Sequence, residues 1–412
     1  MKAKKNFKSL LSILVILVFF VAIIFSLPCK AQVDSKSKSD PELNAFISYI
    51  SEYGHDPVNY VVDKFRDHYV VALGEDHWVK DPYIFLCDLL NAIEEREDSI
   101  AINVLAWESG NSIDQKLADE FTNSPVYRED LAIKILQHTA DTYGWPYQEA
   151  INVFKTVWEI NKEKPKSQRI RILLLDPPYM IPYMNKEKFD YTCPRDVSMM
   201  NLIQDCILQK QRVLFYAGLR HTRKSISGSY MERWNMYYNN HSVGFLLKTL
   251  YPDMVFTIKL WGGLMGSNGY IVIPEPKKWE RVYNGKIDEA FKANGNKPVA
   301  FDIDKPPFSE ITVVKFYKIS EETLSRGEDR SLGCPYNKNI LLEDDIDGII
   351  FFKPVEEFSG ATVYGKFFDD EFMKLIEKRT DGKVKTRKDV FEYIKDQHPI
   401  LGESLDKLIE KE

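Results

Sequence analysis

Between residues 69 and 261 the chain carries five short runs rich in branched aliphatic side chains: YVVAL at 69–73, INVLAW at 102–107, RILLL at 171–175, RVLFYA at 212–217 and MVFTIKLW at 254–261. None alternates apolar with polar positions, so each predicts a strand covered on both faces, as in a parallel sheet. Between them the apolar residues recur at intervals of three and four, the signature of a helix with one buried face. Such stretches occupy 83–95, 112–121, 131–140, 147–160 and 198–209. The alternation predicts an α/β fold with a mainly parallel central sheet flanked by helices. The interval 108–170 holds several helical patterns rather than one crossover, and reads as an inserted helical cover over one end of the sheet.

Beyond Trp261 the runs YIVIP (270–274), PVAFDI (298–303), ITVVKFY (311–317) and DGIIFFKP (347–354) come with fewer helical patterns between them. They predict additional C-terminal strands, either as antiparallel members of the same sheet or as a smaller subdomain. Helical patterns return at 368–378, 388–396 and 404–411. No internal repeat or low-complexity tract interrupts this order.

The start of the chain has a different pattern. Lys2, Lys4, Lys5 and Lys8 precede an uncharged apolar run from Ser9 to Cys29, a basic region followed by a hydrophobic one, as in an export signal. Cys29 and Ala31 place small side chains where a signal peptidase reads, so cleavage after Ala31 is expected; an uncleaved membrane anchor is the alternative. The expected organisation is therefore a signal peptide or anchor at 1–31, a polar tether at 32–41, an α/β catalytic-like domain at 42–360, and a C-terminal helical segment at 361–412 packed on it. The body is expected to be exported, periplasmic or secreted, touching a membrane only through its N-terminal segment, and soluble from about residue 32 onward. A net charge of −6 with interspersed cations argues against a nucleic-acid partner, which would demand a basic face. Cys87 and Cys206 lie in helical patterns and read as buried thiols. Cys193 and Cys334 each precede a proline and are candidates for a bridge outside the cytoplasm.

Open α/β sheets bind ligands outside the carboxyl ends of their strands, which directs the search for chemistry. The first run ends in Gly74-Glu75-Asp76-His77, the second in Glu108-Ser109-Gly110, the third in Asp176-Pro177-Pro178 and the fourth in Gly218-Leu219-Arg220-His221. Gly-x-x-His thus occurs twice, each time at a strand end, where 20 Gly and 7 His in 412 residues would give about 0.3 such spacings by chance. Glycine lets the backbone turn sharply where the strand stops. Glu75, His77, Glu108 and His221 are the candidate catalytic residues. Two imidazoles with a carboxylate between them, His77, Glu108 and His221, would suit a divalent metal such as Mn, Co or Zn, with Glu75 as base. The same set without metal would suit a general base, His77, oriented by Glu75 or Glu108. Glu108 needs a cationic partner if buried, for which Arg220 and Arg223 are the nearest candidates; either would also stabilise an oxyanion. Asp176 is divided between turn former and site member. His55, His68, His138, His241 and His398 read as surface or core histidines. Trp78, Trp145 and Tyr179 are candidates for a binding wall, with aromatic core as the stronger reading.

The two Gly-x-x-His motifs with a glutamate ending the intervening strand resemble the Tiki, TraB and ChaN-like superfamily, which includes erythromycin esterase relatives. GWPYQEAINVFKTVWEIN followed by RIRILLLD is similar to the tryptophan-containing helix and Asp-terminated strand of the esterase branch, and PVAFDI and DGIIFFKP resemble its late strands. One departure stands out: Asp76 alone separates Glu75 from His77, where the esterase relatives carry two residues, which favours the Tiki, TraB and ChaN side. Two functions follow as expectations. One is an exported hydrolase acting on an ester or amide of a small molecule or peptide, through a His/Glu site with or without metal. The other, implied by the ChaN-like resemblance, is a haem- or iron-binding protein without hydrolytic activity. A fold that keeps the motif and has lost its activity is a third.

Overall fold

The structure, a computed structural model, describes residues 40–96, 101–139, 141–178, 194–231, 236–262, 281–318, 334–335 and 339–412. The signal or anchor segment, Tyr179, Cys193 with its candidate bridge, and the YIVIP run lie outside the described residues. Residues Glu42–Glu412 form one compact unit. The expected boundary between residues 360 and 361 falls within an extended stretch of this unit whose backbone is bonded on both sides.

Among the described residues ten strands occur, in chain order: β1 (Val70–Glu75), β2 (Val104–Asn111), β3 (Arg171–Asp176), β4 (Val213–Gly218), β5 (Ser227–Met231), β6 (Met236–Asn240), β7 (Val255–Leu260), β8 (Val299–Asp302), β9 (Cys334–Pro335) and β10 (Gly348–Phe351). Seven form the central sheet in the order β3-β2-β4-β1-β7-β10-β8, and β6-β5-β9 form a separate three-stranded sheet. Within the central sheet every pairing is parallel except β8 against β10. The late strands thus extend the sheet, β10 in parallel with β7 and β8 as an antiparallel edge.

Burial is continuous along the inner strands, and alternation decides only which cover a residue meets. Val71, Leu73, Leu105, Trp107, Leu174 and Tyr216 share one core. Their neighbours Val70, Ala72, Ala106, Leu173 and Phe215 belong to another on the opposite face. That two-sided burial is why no strand reads as amphipathic.

Helices α1 (Pro41–Tyr53) and α2 (Pro57–Asp67) precede the sheet, and α3 (Asp81–Glu95) follows β1. The inserted cover consists of α4 (Gln115–Asn123), α5 (Glu129–Gln137) and α6 (Gln148–Asn161). These pack through Phe121, Ile135 and Phe154 into the core of Trp107. The cover therefore lies on a face, while the loop after α5 brings Asp141 and Trp145 to the group around His77. Next come α7 (Arg195–Leu208), the single turn α8 (Leu219–Thr222), α9 (Val243–Leu250), α10 (Lys286–Ala293) and α11 (Val313–Tyr317). Three helices close the chain: α12 (Asp370–Arg379), α13 (Arg387–Gln397) and α14 (Gly402–Ile409). Among the described residues no helix is long and apolar enough to cross a membrane.

One predicted strand is corrected. ITVVKFY forms the helix α11, because Thr312 caps it by accepting a hydrogen bond from the Lys315 N–H and Lys318 ends it in the left-handed region at φ 56°. A cap at each end outweighs the β-branched composition. Cys206 is a buried free thiol and Cys87 a half-buried one.

Arg223 lies in the interior. Its Nε donates to both oxygens of Asp345 at 2.8 and 3.0 Å, and Asp345 is itself fully buried. Removing one member of a buried pair leaves the other uncompensated. Asp345→Ala is therefore expected to lower the unfolding free energy by about 3–5 kcal/mol, read from the urea midpoint at constant slope. A loss below about 1 kcal/mol, the worth of an exposed pair, would contradict this placement.

Candidate active site

Glu108 ends the regular part of β2, whose pairing with β3 shifts between Trp107 and Asn111. Its carboxylate is buried, and both oxygens are used. Oε2 accepts from the Gly218 N–H at 2.7 Å, while Oε1 accepts from Arg195 Nη2 at 2.8 Å and lies 3.0 Å from His221 Nε2. Burial works against the charge, but His221 and Arg195 hold Glu108 well below the usual carboxylate range.

His221 sits on α8, the turn that follows Gly218, and bridges two acids. Its Nδ1 is 2.7 Å from Asp196 Oδ1 and its Nε2 faces Glu108. Burial disfavours the imidazolium, yet Asp196 and Glu108 raise its pKa to about 9. Asp196 in turn is held below its ordinary value, against burial, by His221, and its Oδ1 also accepts from the Val243 N–H at 3.2 Å.

Arg195, at the first residue of α7, ties in the third strand. Its Nε donates to Asp176 Oδ1 at 2.6 Å, and its Nη1 lies 3.1 Å from His221 Nε2. Asp176 belongs to the site, and burial raises its pKa in spite of Arg195. The expected partners of Glu108 are corrected here: Arg223 is committed to Asp345, and Arg220 acts on Asp196 through its charge. Arg195 lies far in sequence from every strand end, and its only sequence signal is its place beside Pro194 at the start of a helix.

His77 completes the group from the other side. Its Nδ1 is hydrogen-bonded to Glu75 Oε1. A Cβ on Gly218 would stand 2.8 and 2.9 Å from His77 Cε1 and Nε2, and 3.4 Å from Glu108 Oε2. The glycine of the second Gly-x-x-His motif thus makes room for the histidine of the first. The four residues singled out at strand ends, Glu75, His77, Glu108 and His221, meet around this point. Burial lowers the affinity of His77 for its second proton, but Glu75 and Glu108 raise its pKa to about 10. Burial raises Glu75 as well, against the pull of His77, so the pair keeps its proton. Glu75 Oε2 is buried without a hydrogen-bond partner. Asp141, in the loop after α5, is raised to about 6 by burial, against the charges of His77 and Arg195.

The walls are aromatic. Trp145 and Trp78 stand edge-on to the His77 ring at 5.1 and 5.5 Å, and Trp145 Nε1 donates to Tyr83 OH at 2.6 Å. Trp78 has a positive φ of 66°, which costs a non-glycine residue about 1–2 kcal/mol and marks a constrained position. Both tryptophans are buried, so the core and wall readings hold together. Of the other histidines, His398 is buried near this wall, His138 pairs with Asp114 at 2.8 Å, and His241 stacks on Phe245.

This donor set does not fit a metal. A cation bound by His77, Glu108 and His221 would have to displace the Arg195 guanidinium, and both nitrogens of His221 already face carboxylates. Among the described residues no group of three or more His, Cys, Asp or Glu side chains is arranged to hold a metal ion. Haem requires an axial ligand opening on an apolar slot; Nδ1 of His77 is taken by Glu75, and both ring nitrogens of His221 face carboxylates.

No protein-family model matches the chain, and no curated protein matches it. A Bacillus cereus protein of known crystal structure shares the fold with a TM-score of 0.50 at 10% identity, covering 78% of this chain and 99% of that one. An erythromycin esterase mutant in its open conformation aligns with a TM-score of 0.46 at 10% identity, over 74% of this chain and 94% of its own. The haem-binding ChaN of Campylobacter jejuni aligns with a TM-score of 0.32 at 15% identity, over 50% and 87%.

The raised histidines link stability to pH with a definite sign. A histidine ordinarily titrates near ~6.5 and His221 near about 9, so the folded state holds the extra proton between those values. Its contribution is complete below about 6.5 and is lost as pH rises through about 9, and His77 acts with the same sign. The urea midpoint should fall between pH 6.5 and 9.5, and more gently in His221→Gln. An equal slope in the variant would contradict the proton assignment.

Proposed function

We propose that this chain is a hydrolase of esters or amides in which the Glu75–His77 pair performs the proton transfers without a metal. The observation that carries the reading is the His77 ring, tied through Nδ1 to a buried carboxylate and turning Nε2 toward the Glu108 cluster over a glycine. A histidine oriented by a carboxylate is a proton-transfer device, and a concentration of groups displaced in opposite directions is characteristic of catalytic sites.

In this reading neutral His77 removes a proton from the attacking water, and the resulting imidazolium returns it to the leaving group. Arg195 stays charged, and a quarter of its side-chain surface is open. It faces the oxyanion as charge develops. Glu108 and Asp176 hold that guanidinium in place. The reaction class agrees with the one implied by the sequence resemblance, and in this reading the basic and apolar N-terminal segment serves as an export signal that carries the enzyme out of the cytoplasm.

Because His77 holds its second proton to about 10, its basic form is a minority at neutral pH. On a panel of chromogenic esters and amides, kcat/KM should therefore climb with pH through the neutral range. Glu75→Gln removes the adjacent negative charge and destabilises the imidazolium, so the rising limb should move about 1–3 units toward acid while its plateau drops. His77→Ala should lose about 100-fold or more. Activity that ignores both substitutions would refute the assignment.

A further inference from the structure

The stretch Ser359–Tyr364 runs between the two loops that wall His77 and bonds to both. On one side the Ala361 N–H donates to the Trp78 carbonyl at 2.7 Å, the Lys80 N–H donates to the Ser359 carbonyl at 3.2 Å, and Val79 bridges Gly360. On the other, the Gln148 N–H donates to the Thr362 carbonyl and the Tyr364 N–H to the Pro146 carbonyl, both at 2.8 Å, while Tyr147 bridges Val363. Glu149 fastens the middle, accepting from the Thr362 N–H and Oγ1 at 2.8 Å each. Successive residues of one strap thus hold the loop bearing His77 and Trp78 and the loop bearing Trp145.

The last turns of the chain add a second hold. His398, between α13 and α14, is buried with its ring stacked on Trp78 at 4.0 Å and 25°. Its Nε2 is hydrogen-bonded to Tyr143 OH, which lies on the Trp145 loop. Trp78 is therefore caught between two imidazoles, face to face with His398 and edge to His77. Its left-handed backbone is a conformation that surrounding structure must impose.

We infer that residues 359–364 and His398 position the catalytic pair, acting through Trp78 to hold the His77 ring against Glu75. They touch no reacting atom. This inference rests on the reading of His77 as the proton-transfer residue, yet the geometry it asserts exists whether or not the chain hydrolyses esters. A displaced ring costs catalysis steeply, about 100-fold for an ångström, so the effect should appear in kcat more than in KM.

The test uses the full chain and two readouts. In proton NMR the His77 Nδ1 proton, held by Glu75, should give a far-downfield signal that exchanges slowly and disappears in His77→Ala. His398→Ala should abolish that signal and lower kcat at least tenfold with KM little changed. His398→Phe, which can still stack on Trp78, should restore most of both. Val390→Ala, a buried change in α13, controls for general loosening and should retain the signal. If His398→Ala folds and keeps the signal, the inference fails, whatever the activity. Loss of the signal in Val390→Ala to the same extent also overturns it, because the effect would then be general. If His398→Ala does not fold, Trp78→Phe and Trp78→Ala decide: a signal kept by the first and lost by the second supports the inference, and a signal kept by both refutes it. A signal that responds as expected in a chain inactive on every substrate would uphold the positioning and refute the hydrolase reading alone.

Discussion

A carboxylate at the carboxyl end of an inner strand is covered on both faces and must be neutralised where it stands, since unpaired burial is costly. Glu108 is in that position, and the site is the set of groups that satisfy it. The Gly218 N–H, Arg195 and His221 occupy its two oxygens, and each brings in another element. Gly218 ends β4, His221 is anchored to Asp196 on α7, and Arg195 reaches across to Asp176 at the end of β3. Two strands and a helix are thereby fixed relative to one carboxylate on β2. The raised pKa of His221 and the lowered one of Glu108 are two expressions of the same contact.

His77 lies beside this network and depends on it differently. Glu108 raises its pKa as a neighbouring charge, whereas its orientation comes from Glu75 and from the aromatic wall of Trp78 and Trp145. That wall is assembled from distant parts of the sequence by the strap at 359–364. The result is a division of labour between a charged half, bearing Arg195, and a half whose imidazole side chain is 20% exposed. The same neutralisation that stabilises the first half leaves it unsuited to a metal ion, because the lone pairs a cation would need are already engaged.

The strand ends were legible because a run of five or six apolar residues has to stop, and what stops it is conspicuous. Glu75, His77, Glu108, Asp176 and His221 all follow such runs. Arg195 was not legible. It opens a helix after a long connection, and periodicity tells which face of α7 is buried but not which end meets the sheet edge. Arg220 and Arg223 were favoured by nearness in sequence to His221, but the chain is extended at Arg223 and carries that side chain to Asp345. His398 was beyond reach for a related reason, since its partner Tyr143 lies 255 residues away. Residues 311–317 misled because β-branched composition favours a strand, while the capping threonine that decides for a helix is one hydroxyl among many.

If His77 and His221 serve one reaction from the two halves of this site, their losses cannot add. The most direct measurement is kcat/KM for His77→Ala, His221→Ala and the double variant on the best ester or amide substrate, with folding checked by thermal denaturation. The account predicts that each single change removes most activity and that the double variant is hardly worse than the poorer single one, as for residues of one catalytic unit. Partial losses that multiply in the double variant would show two independent contributions, and would contradict a site in which the Glu75–His77 pair and the Glu108 cluster act as one catalytic unit.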